Sequence, residues 1–212
     1  YQVPASQVTE IEFSGLVENI GSQDQQDAVF TATVGTFTGT SAATPVLVGN
    51  VDTLACTTTL TPGTATATLS LNGSVAMGNV DGDATNNTLA NYAAIEINPY
   101  VYARDNGTAT NGSFNGGMGF EVGNIFDIFA NTSIGGGSVY VHSAAEAGAE
   151  IYLKLYSIDP TSGDFLYVDE TGPYVLQASD IDAEVTLSFL GGSYPLNAGE
   201  AYLLVAGSNG DG

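Results

Sequence analysis

The side chains best suited to chemistry lie in one loop, Asn79 to Asn87, which reads NVDGDATNN. Oxygen-bearing side chains recur there at alternate positions, and Ca²⁺ takes about six to eight oxygen ligands. We therefore predict a calcium site formed by Asn79, Asp81, Asp83 and Asn86. A common calcium loop has glycine at its sixth position and glutamate at its twelfth, where this chain has Ala84 and Ala90. The alternative is a solvated Asp/Asn turn between two strands.

Other residues with catalytic potential lack the partners that catalysis needs. His142 is the single histidine, and no Gly-x-Ser-x-Gly motif accompanies it, so we expect a surface-facing or hydrogen-bonded strand residue. Asp169 and Glu170 are adjacent and would point to opposite faces of a strand, which separates them too well for acid and base roles. We expect a solvated turn to carry the remaining acidic group, Asp180, Asp182 and Glu184. The sequence therefore predicts no catalytic residues and no enzyme activity.

Tyrosines are the most promising binding residues. Four candidates for one sheet face or its rim are Tyr152, Tyr156, Tyr167 and Tyr174. Amphipathic rings on a rigid sheet suit contact with carbohydrate or protein. Burial of the same rings in a sandwich core is the alternative interpretation.

The charge balance excludes several classes of partner. The chain carries 23 acidic residues against two basic ones, Arg104 and Lys154, for a net charge of −21. Nucleic acids and anionic lipids are bound through lysine and arginine, so neither is an expected partner. The same charge attracts divalent cations, and the scarcity of basic residues leaves trypsin-like proteases little to cleave. Both properties suit an extracellular or cell-surface location.

Cysteine content and processing signals add little about the compartment. Cys56 is the single cysteine, so the chain forms no internal disulfide. The sequence begins at Tyr1 without a signal-like segment, and we expect a mature or excised piece of a longer polypeptide. No run approaches the ~20 apolar residues of a membrane span. Sequons begin at Asn72, Asn86, Asn106, Asn111 and Asn131, and the tripeptide at Asp52 resembles a Bacteroidetes O-glycosylation signal that would modify Thr53.

The first part of the chain predicts a β-sandwich over residues 1–98. Ile11 and Phe13 are the best core candidates of a first strand, with Val8 and Leu16 weaker, and regular alternation follows in AVFTATV. The turns in LVENIG, in LTPGTATATLSL and in DGDATNN resemble those of CARDB-type immunoglobulin-like domains of bacterial surface proteins. This resemblance implies a seven-stranded sandwich that serves as a spacer or adhesive module.

Residues 99–212 contain six short alternating segments separated by turn signals, and this pattern predicts a second sandwich. The best-defined unit is a β-hairpin, AEIYLKLYSIDPTSGDFLYVDE, while NGTATNGSFNGGMG and SIGGGS read as loops. The order of FxVGNxF, SVYV, DPTSGDF and PLNAGEAYLLVAG resembles jelly-roll-like modules of large Bacteroidetes proteins exported by type IX secretion. The predicted fold class is all-β, with two tandem antiparallel β-sandwiches, immunoglobulin-like and then jelly-roll-like.

These features predict a non-catalytic structural or adhesive module of a large secreted or cell-surface bacterial protein. Its expected partners are neighbouring domains of the same polypeptide, with surface glycans or other surface proteins as further candidates. One alternative is a carbohydrate-binding accessory module of an exported hydrolase. Another is a subunit of an extracellular filament or surface layer, in which edge strands pair between chains.

Overall fold

The computed structural model describes residues 1–105 and 118–210 of the chain. The chain divides into two compact units, Tyr1–Ala103 (unit 1) and Arg104–Gly212 (unit 2), whereas the sequence places its boundary after Asn98. The described residues form strands and three short 3₁₀ helices, so the all-β prediction is confirmed. The 3₁₀ helices are Ala5–Gln7, Ala84–Asn86 and Ala178–Asp180. None of the described helices is long and apolar enough to cross a membrane.

Unit 1 contains eight strands in two sheets. The larger sheet has the order β1-β8-β7-β3-β4, with β5 paired to β3, and the smaller sheet pairs β2 with β6. All these pairs are antiparallel except β1 with β8. The strands are β1 (Gln2–Pro4), β2 (Ser14–Glu18), β3 (Gln25–Val34), β4 (Phe37–Thr40), β5 (Thr44–Val46), β6 (Val51–Ala55), β7 (Ala67–Ala76) and β8 (Thr88–Asn98).

The core of unit 1 follows the period of two that a half-buried strand requires. Phe30, Ala32 and Val34 are buried on β3, and Phe13 packs in the same cluster with Ile11 partly buried beside it. Leu16, in contrast, is 77% exposed. It lies in β2 at the opposite parity to Phe13, so its side chain points away from the face that the core occupies.

Unit 2 is built around a sheet with the order β13-β12-β17-β9, to which β14 adds through β12. Two further antiparallel pairs, β10 with β16 and β11 with β15, complete the unit. Its strands are β9 (Met118–Asp127), β10 (Thr132–Ile134), β11 (Gly136–Val141), β12 (Glu150–Ile158), β13 (Phe165–Glu170), β14 (Tyr174–Val175), β15 (Ala183–Ser188), β16 (Tyr194–Leu196) and β17 (Ala201–Gly210).

The hairpin predicted in unit 2 is present as β12 and β13. Asp159 closes its turn, because its backbone N–H donates to the Asp164 carbonyl and its carboxylate accepts from Thr161 and Ser162. The predicted loop SIGGGS is wrong, since β10 and β11 lie there. A Cβ at Gly136 would overlap the Leu187 backbone, so the glycine permits a close approach of strands.

Candidate binding face of unit 2

One face of the large sheet of unit 2 gathers aromatic and charged side chains. Along β12, Leu153 and Leu155 are buried toward the core, so the alternating residues Tyr152, Lys154 and Tyr156 point to the opposite side. Strand pairing extends this side of the sheet in both directions. On β13, Tyr167 lies opposite Tyr156, and Phe165 lies opposite Ile158 of β12. On β17, Gly207 lies between Tyr152 of β12 and Glu121 of β9. We call Glu121, Tyr152, Lys154, Tyr156, Phe165 and Tyr167 the aromatic face.

Glu121 is the centre of the hydrogen bonds on the aromatic face. Its Oε1 accepts from Lys154 Nζ at 2.6 Å and from the Tyr152 hydroxyl at 3.1 Å. Its Oε2 accepts from the Tyr156 hydroxyl at 3.0 Å. The Lys154 and Glu121 side chains are 25% and 31% exposed, so water screens this ion pair less than a fully exposed one. The carboxylate therefore fixes three side chains of β12 in one arrangement.

The same contacts shift the ionisation of the cluster. Desolvation raises the pKa of Glu121, but hydrogen bonds from Lys154, Tyr156 and Tyr152 outweigh it and place that pKa below its ordinary value of 4.5. The hydrogen bond to Glu121 raises the pKa of Lys154 above its ordinary value of 10.5. The pKa values of Tyr152 and Tyr156 are both raised, mainly by desolvation and next by the hydrogen bond that each hydroxyl donates to Glu121. At neutral pH the cluster thus holds an ionised pair and two protonated hydroxyls.

Tyr152 forms the floor of the aromatic face. Its ring lies against Gly207, where an added Cβ would come within 2.6 Å of the ring Cζ. Lys154 Nζ lies 4.4 Å from the centroid of the same ring, a cation–π distance. Tyr152 is accordingly only 8% exposed. The absence of a side chain at Gly207 in β17 therefore leaves the space that the Tyr152 ring occupies.

The outer part of the aromatic face is open. Phe165 and Tyr167 are 55% and 57% exposed. Tyr156 contacts both, with ring centroids 6.5 Å from Phe165 and 6.3 Å from Tyr167, the latter at an interplanar angle of 81°. Aromatic pairs favour such tilted and edge-to-face geometries. The arrangement offers two exposed rings beside an ion pair, which suits a ligand with apolar faces and polar edges.

Of the four tyrosines predicted to share a face, the structure brings three together. Tyr152, Tyr156 and Tyr167 lie on the aromatic face. The Tyr152 ring is buried by packing, whereas the Tyr167 ring is exposed and available for binding. Tyr174 pairs with Ile151, at the opposite parity of β12, and its hydroxyl donates to Asp180 Oδ2 at 2.9 Å.

Sequence reasoning missed Glu121 and Phe165 as members of this face. Glu121 lies 33 positions from Lys154 in the chain, and a strand pairing order is needed to place them together. One signal was present in the sequence, because Lys154 is the single lysine and stands between two tyrosines of an alternating strand. A lone cation in so acidic a chain indicates a specific carboxylate partner.

The predicted calcium ligands lie in the loop between β7 and β8. Asp81 Oδ1 accepts from the Asp83 backbone N–H at 2.9 Å, and Asp83 Oδ1 accepts from the Thr85 N–H at 3.1 Å. Asn79 Nδ2 donates to the Asp24 carbonyl, and Asn86 ends the 3₁₀ helix Ala84–Asn86. Hydrogen bonds from Thr85 lower the pKa of Asp83. Within residues 1–105 and 118–210, no group of three His, Cys, Asp or Glu side chains is placed to hold a metal.

The remaining candidate residues are dispersed. His142 follows β11, and its Nδ1 accepts from the Ala144 backbone N–H at 3.1 Å. Asp169 lies opposite Leu155 and Glu170 opposite Lys154, which puts the two carboxylates on opposite faces as predicted. The other acidic residues occupy different elements: Asp180 ends a 3₁₀ helix, Asp182 accepts from the Tyr140 hydroxyl, and Glu184 lies in β15.

The predicted glycan acceptors lie on several elements. Thr53 is exposed on β6, directly before the buried Leu54. Asn72 and Asn131 accept hydrogen bonds from the backbone N–H groups of Asn91 and Ala198. The sequons at residues 106 and 111, and most of the first predicted glycine-rich loop, lie outside the described residues.

Comparisons with known proteins return little for this chain. No family model matches the sequence, and no curated protein matches it. Among solved structures, a two-domain protein of unknown function from Bacteroides fragilis aligns over 99% of this chain and 83% of its own length. Its sequence identity is 10% and the TM-score is 0.25.

Proposed function

We propose that this chain is a non-catalytic adhesive module of a larger secreted or cell-surface bacterial protein, and that unit 2 holds its target through the aromatic face. The observation that carries the proposal is the pair of exposed rings, Phe165 and Tyr167, beside the Glu121–Lys154 ion pair on a continuous sheet. Aromatic residues are enriched at binding interfaces, where they supply contact area at low conformational cost. Support for unit 1 as a spacer comes from its resemblance to CARDB-type domains.

Saccharide is the target class that this chemistry fits best. A pyranose ring has an apolar face that can lie on an exposed aromatic ring, while its hydroxyls need donors and acceptors at the edge. Lys154 Nζ and the Glu121 carboxylate supply both at the centre of the face. Unlike a nucleic acid or an anionic lipid, a neutral saccharide is not repelled by a chain of charge −21. The resemblance to modules exported by type IX secretion agrees with surface glycans as targets.

The test is a glycan array probed with the chain and with two tyrosine variants. Tyr167→Ala removes an exposed ring of the aromatic face, and Tyr100→Ala removes a ring that is 90% exposed in unit 1. We expect saturable binding to some saccharides, weakened about fivefold or more by the first variant, because loss of an aromatic ring that contacts the ligand costs more than about 1 kcal/mol. Tyr100→Ala should bind like the parent.

Two results would overturn the proposal. The first is an array without saturable binding together with no retention on intact bacterial or host cell surfaces. The second is equal binding by Tyr167→Ala and Tyr100→Ala, which would show that the target does not contact the aromatic face. Retention on protein-coated but not on glycan-coated surfaces would keep the adhesive role and replace the saccharide by a protein target.

A further inference from the structure

Among the described residues, strand β9 is an edge strand of the large sheet of unit 2. Nine of its ten residues have partners on β17, from Met118 to Asp127, and no shift of register interrupts the pairing. No strand within residues 1–105 and 118–210 pairs with its other side. An edge strand presents a row of backbone N–H and C=O groups that can accept a further strand. The stretch 118–125 is therefore a template for strand addition.

Strand β8 is a partly exposed edge of unit 1, and it carries two protective features that β9 lacks among the described residues. Strand β8 shifts register against β7 between Leu71 and Gly73, and its Asn91 adopts a φ of 50°. Its other end is covered by β1, which pairs with Glu96, Ile97 and Asn98. Bulges and covering strands are common devices against edge pairing. Of these two strands, β9 is therefore the one whose edge is open to a partner within the described part of the chain.

Charge also distinguishes β9. The chain has two basic residues, and each of them pairs with a carboxylate of this one strand. Lys154 Nζ lies 2.6 Å from Glu121, and Arg104 Nη2 lies 3.6 Å from Asp127. A second copy of the chain, which also carries −21, is repelled by an acidic surface but far less by a locally neutral one. The two carboxylates of β9 are thus neutralised, so the β9 edge of a second copy can approach this edge with little charge repulsion.

Apolar side chains on both faces of β9 would gain from such pairing. Met118, Val122 and Ile125 are 71%, 54% and 42% exposed. Val122 pairs with Ala206 on the core side of the sheet, and Ile125 pairs with Leu203 on the side of the aromatic face. A strand laid along this edge contacts both sets, since cross-strand neighbours lie about 5 Å apart. The strand content is the same in each copy, so a two-fold axis can satisfy both partners.

We propose that two copies of this chain associate by antiparallel pairing of their β9 strands, which joins the large sheets of the two copies into one. The dimer places two aromatic faces on one side of a continuous sheet. Simultaneous binding at both faces then raises the apparent affinity for a repetitive surface without any new contact. The dimer itself does not depend on what the aromatic face binds.

Sedimentation equilibrium of the chain and of two lysine variants tests the dimer. Val122→Lys puts a charge on the β9 edge, away from the aromatic face, and Leu89→Lys makes the same change at a residue of β8 that is 62% exposed. We expect a concentration-dependent dimer for the chain and for Leu89→Lys. For Val122→Lys we expect the dissociation constant of the dimer to rise about tenfold or more, because an unpaired charge inside an interface costs several kcal/mol. Melting curves confirm that both variants fold.

Hydrogen exchange and salt dependence locate the interface. Amides of residues 118–125 should gain protection as the concentration rises. Lys154→Met leaves Glu121 without its basic partner, so the dimer of this variant should weaken at low salt and recover as added salt screens the repulsion between the two copies. A chain that stays monomeric up to millimolar concentration overturns the proposal. So does a dimer that Val122→Lys leaves intact, or one whose β9 amides exchange as fast as those of the monomer.

Discussion

Replacing Glu121 by glutamine tests whether one carboxylate organises the aromatic face. The substitution keeps the size of the side chain and removes its charge, so Lys154 loses its ionic partner and the hydroxyls of Tyr152 and Tyr156 lose a charged acceptor. Hydrogen bonds to buried charged groups contribute about 1.5–3 kcal/mol and exposed ion pairs about 0.2–1 kcal/mol. The Glu121 and Lys154 side chains are 31% and 25% exposed, which lies between the buried and the exposed case. We therefore expect the substitution to lower the free energy of unfolding by about 1–2 kcal/mol.

Calorimetry with hydrogen exchange on β9 and β12 measures this loss in unit 2. For a domain of about 100 residues, 1 kcal/mol lowers the melting temperature by about 4–8 °C. Glu170→Gln is the matched control, because Glu170 lies opposite Lys154 in the strand register and removing its charge breaks no hydrogen bond seen in the described residues. The control should change stability by no more than about 0.5 kcal/mol.

The second readout is the pH dependence of the difference in the free energy of unfolding between the parent chain and Glu121→Gln. Since the pKa of Glu121 is lowered in the folded state, its contribution is present above the ordinary value of 4.5 and is lost as the pH falls through the folded value. The raised pKa of Lys154 keeps its contribution complete below 10.5, with loss only at higher pH. The difference should be flat near neutral pH and shrink in acid. A difference equal to that of Glu170→Gln, or one unchanged in acid, would refute the reasoning.

Two further predictions concern the floor of the aromatic face and the acidic loop. Gly207→Ala brings a Cβ within 2.6 Å of the Tyr152 ring and 2.7 Å of a backbone carbonyl, so calorimetry should show a loss of about 1–3 kcal/mol. Gly135→Ala, where no atom lies within 4 Å of the added Cβ, should melt like the parent. For the loop Asn79 to Asn87, excess calcium should raise the melting temperature. At a calcium concentration 100 times the dissociation constant, binding adds about 2.7 kcal/mol to the free energy of unfolding. Identical melting curves in calcium and in EDTA would leave only the solvated turn.

Local pattern was sufficient for much of the fold. Alternation in β3 predicted a half-buried strand, and the alternation of β12 with the turn at Asp159 predicted the hairpin, because side-chain direction in a strand has a fixed period of two. The clustered glycines of SIGGGS predicted a loop, whereas glycine there permits close contact between strands. Composition alone thus distinguishes a turn glycine from a packing glycine poorly.

By itself, the sequence determined that the chain is all-β, that Asp169 and Glu170 diverge, and that its two cations are exceptional, since each of these follows from residue type and local spacing. Only the tertiary structure decided where those cations go. The pairing of β12, β17 and β9 brings Glu121 to Lys154, and among residues 1–105 and 118–210 no strand pairs with the other side of β9. Strand order joins residues far apart in the chain through backbone hydrogen bonds that are alike for every residue type, so local sequence does not encode it.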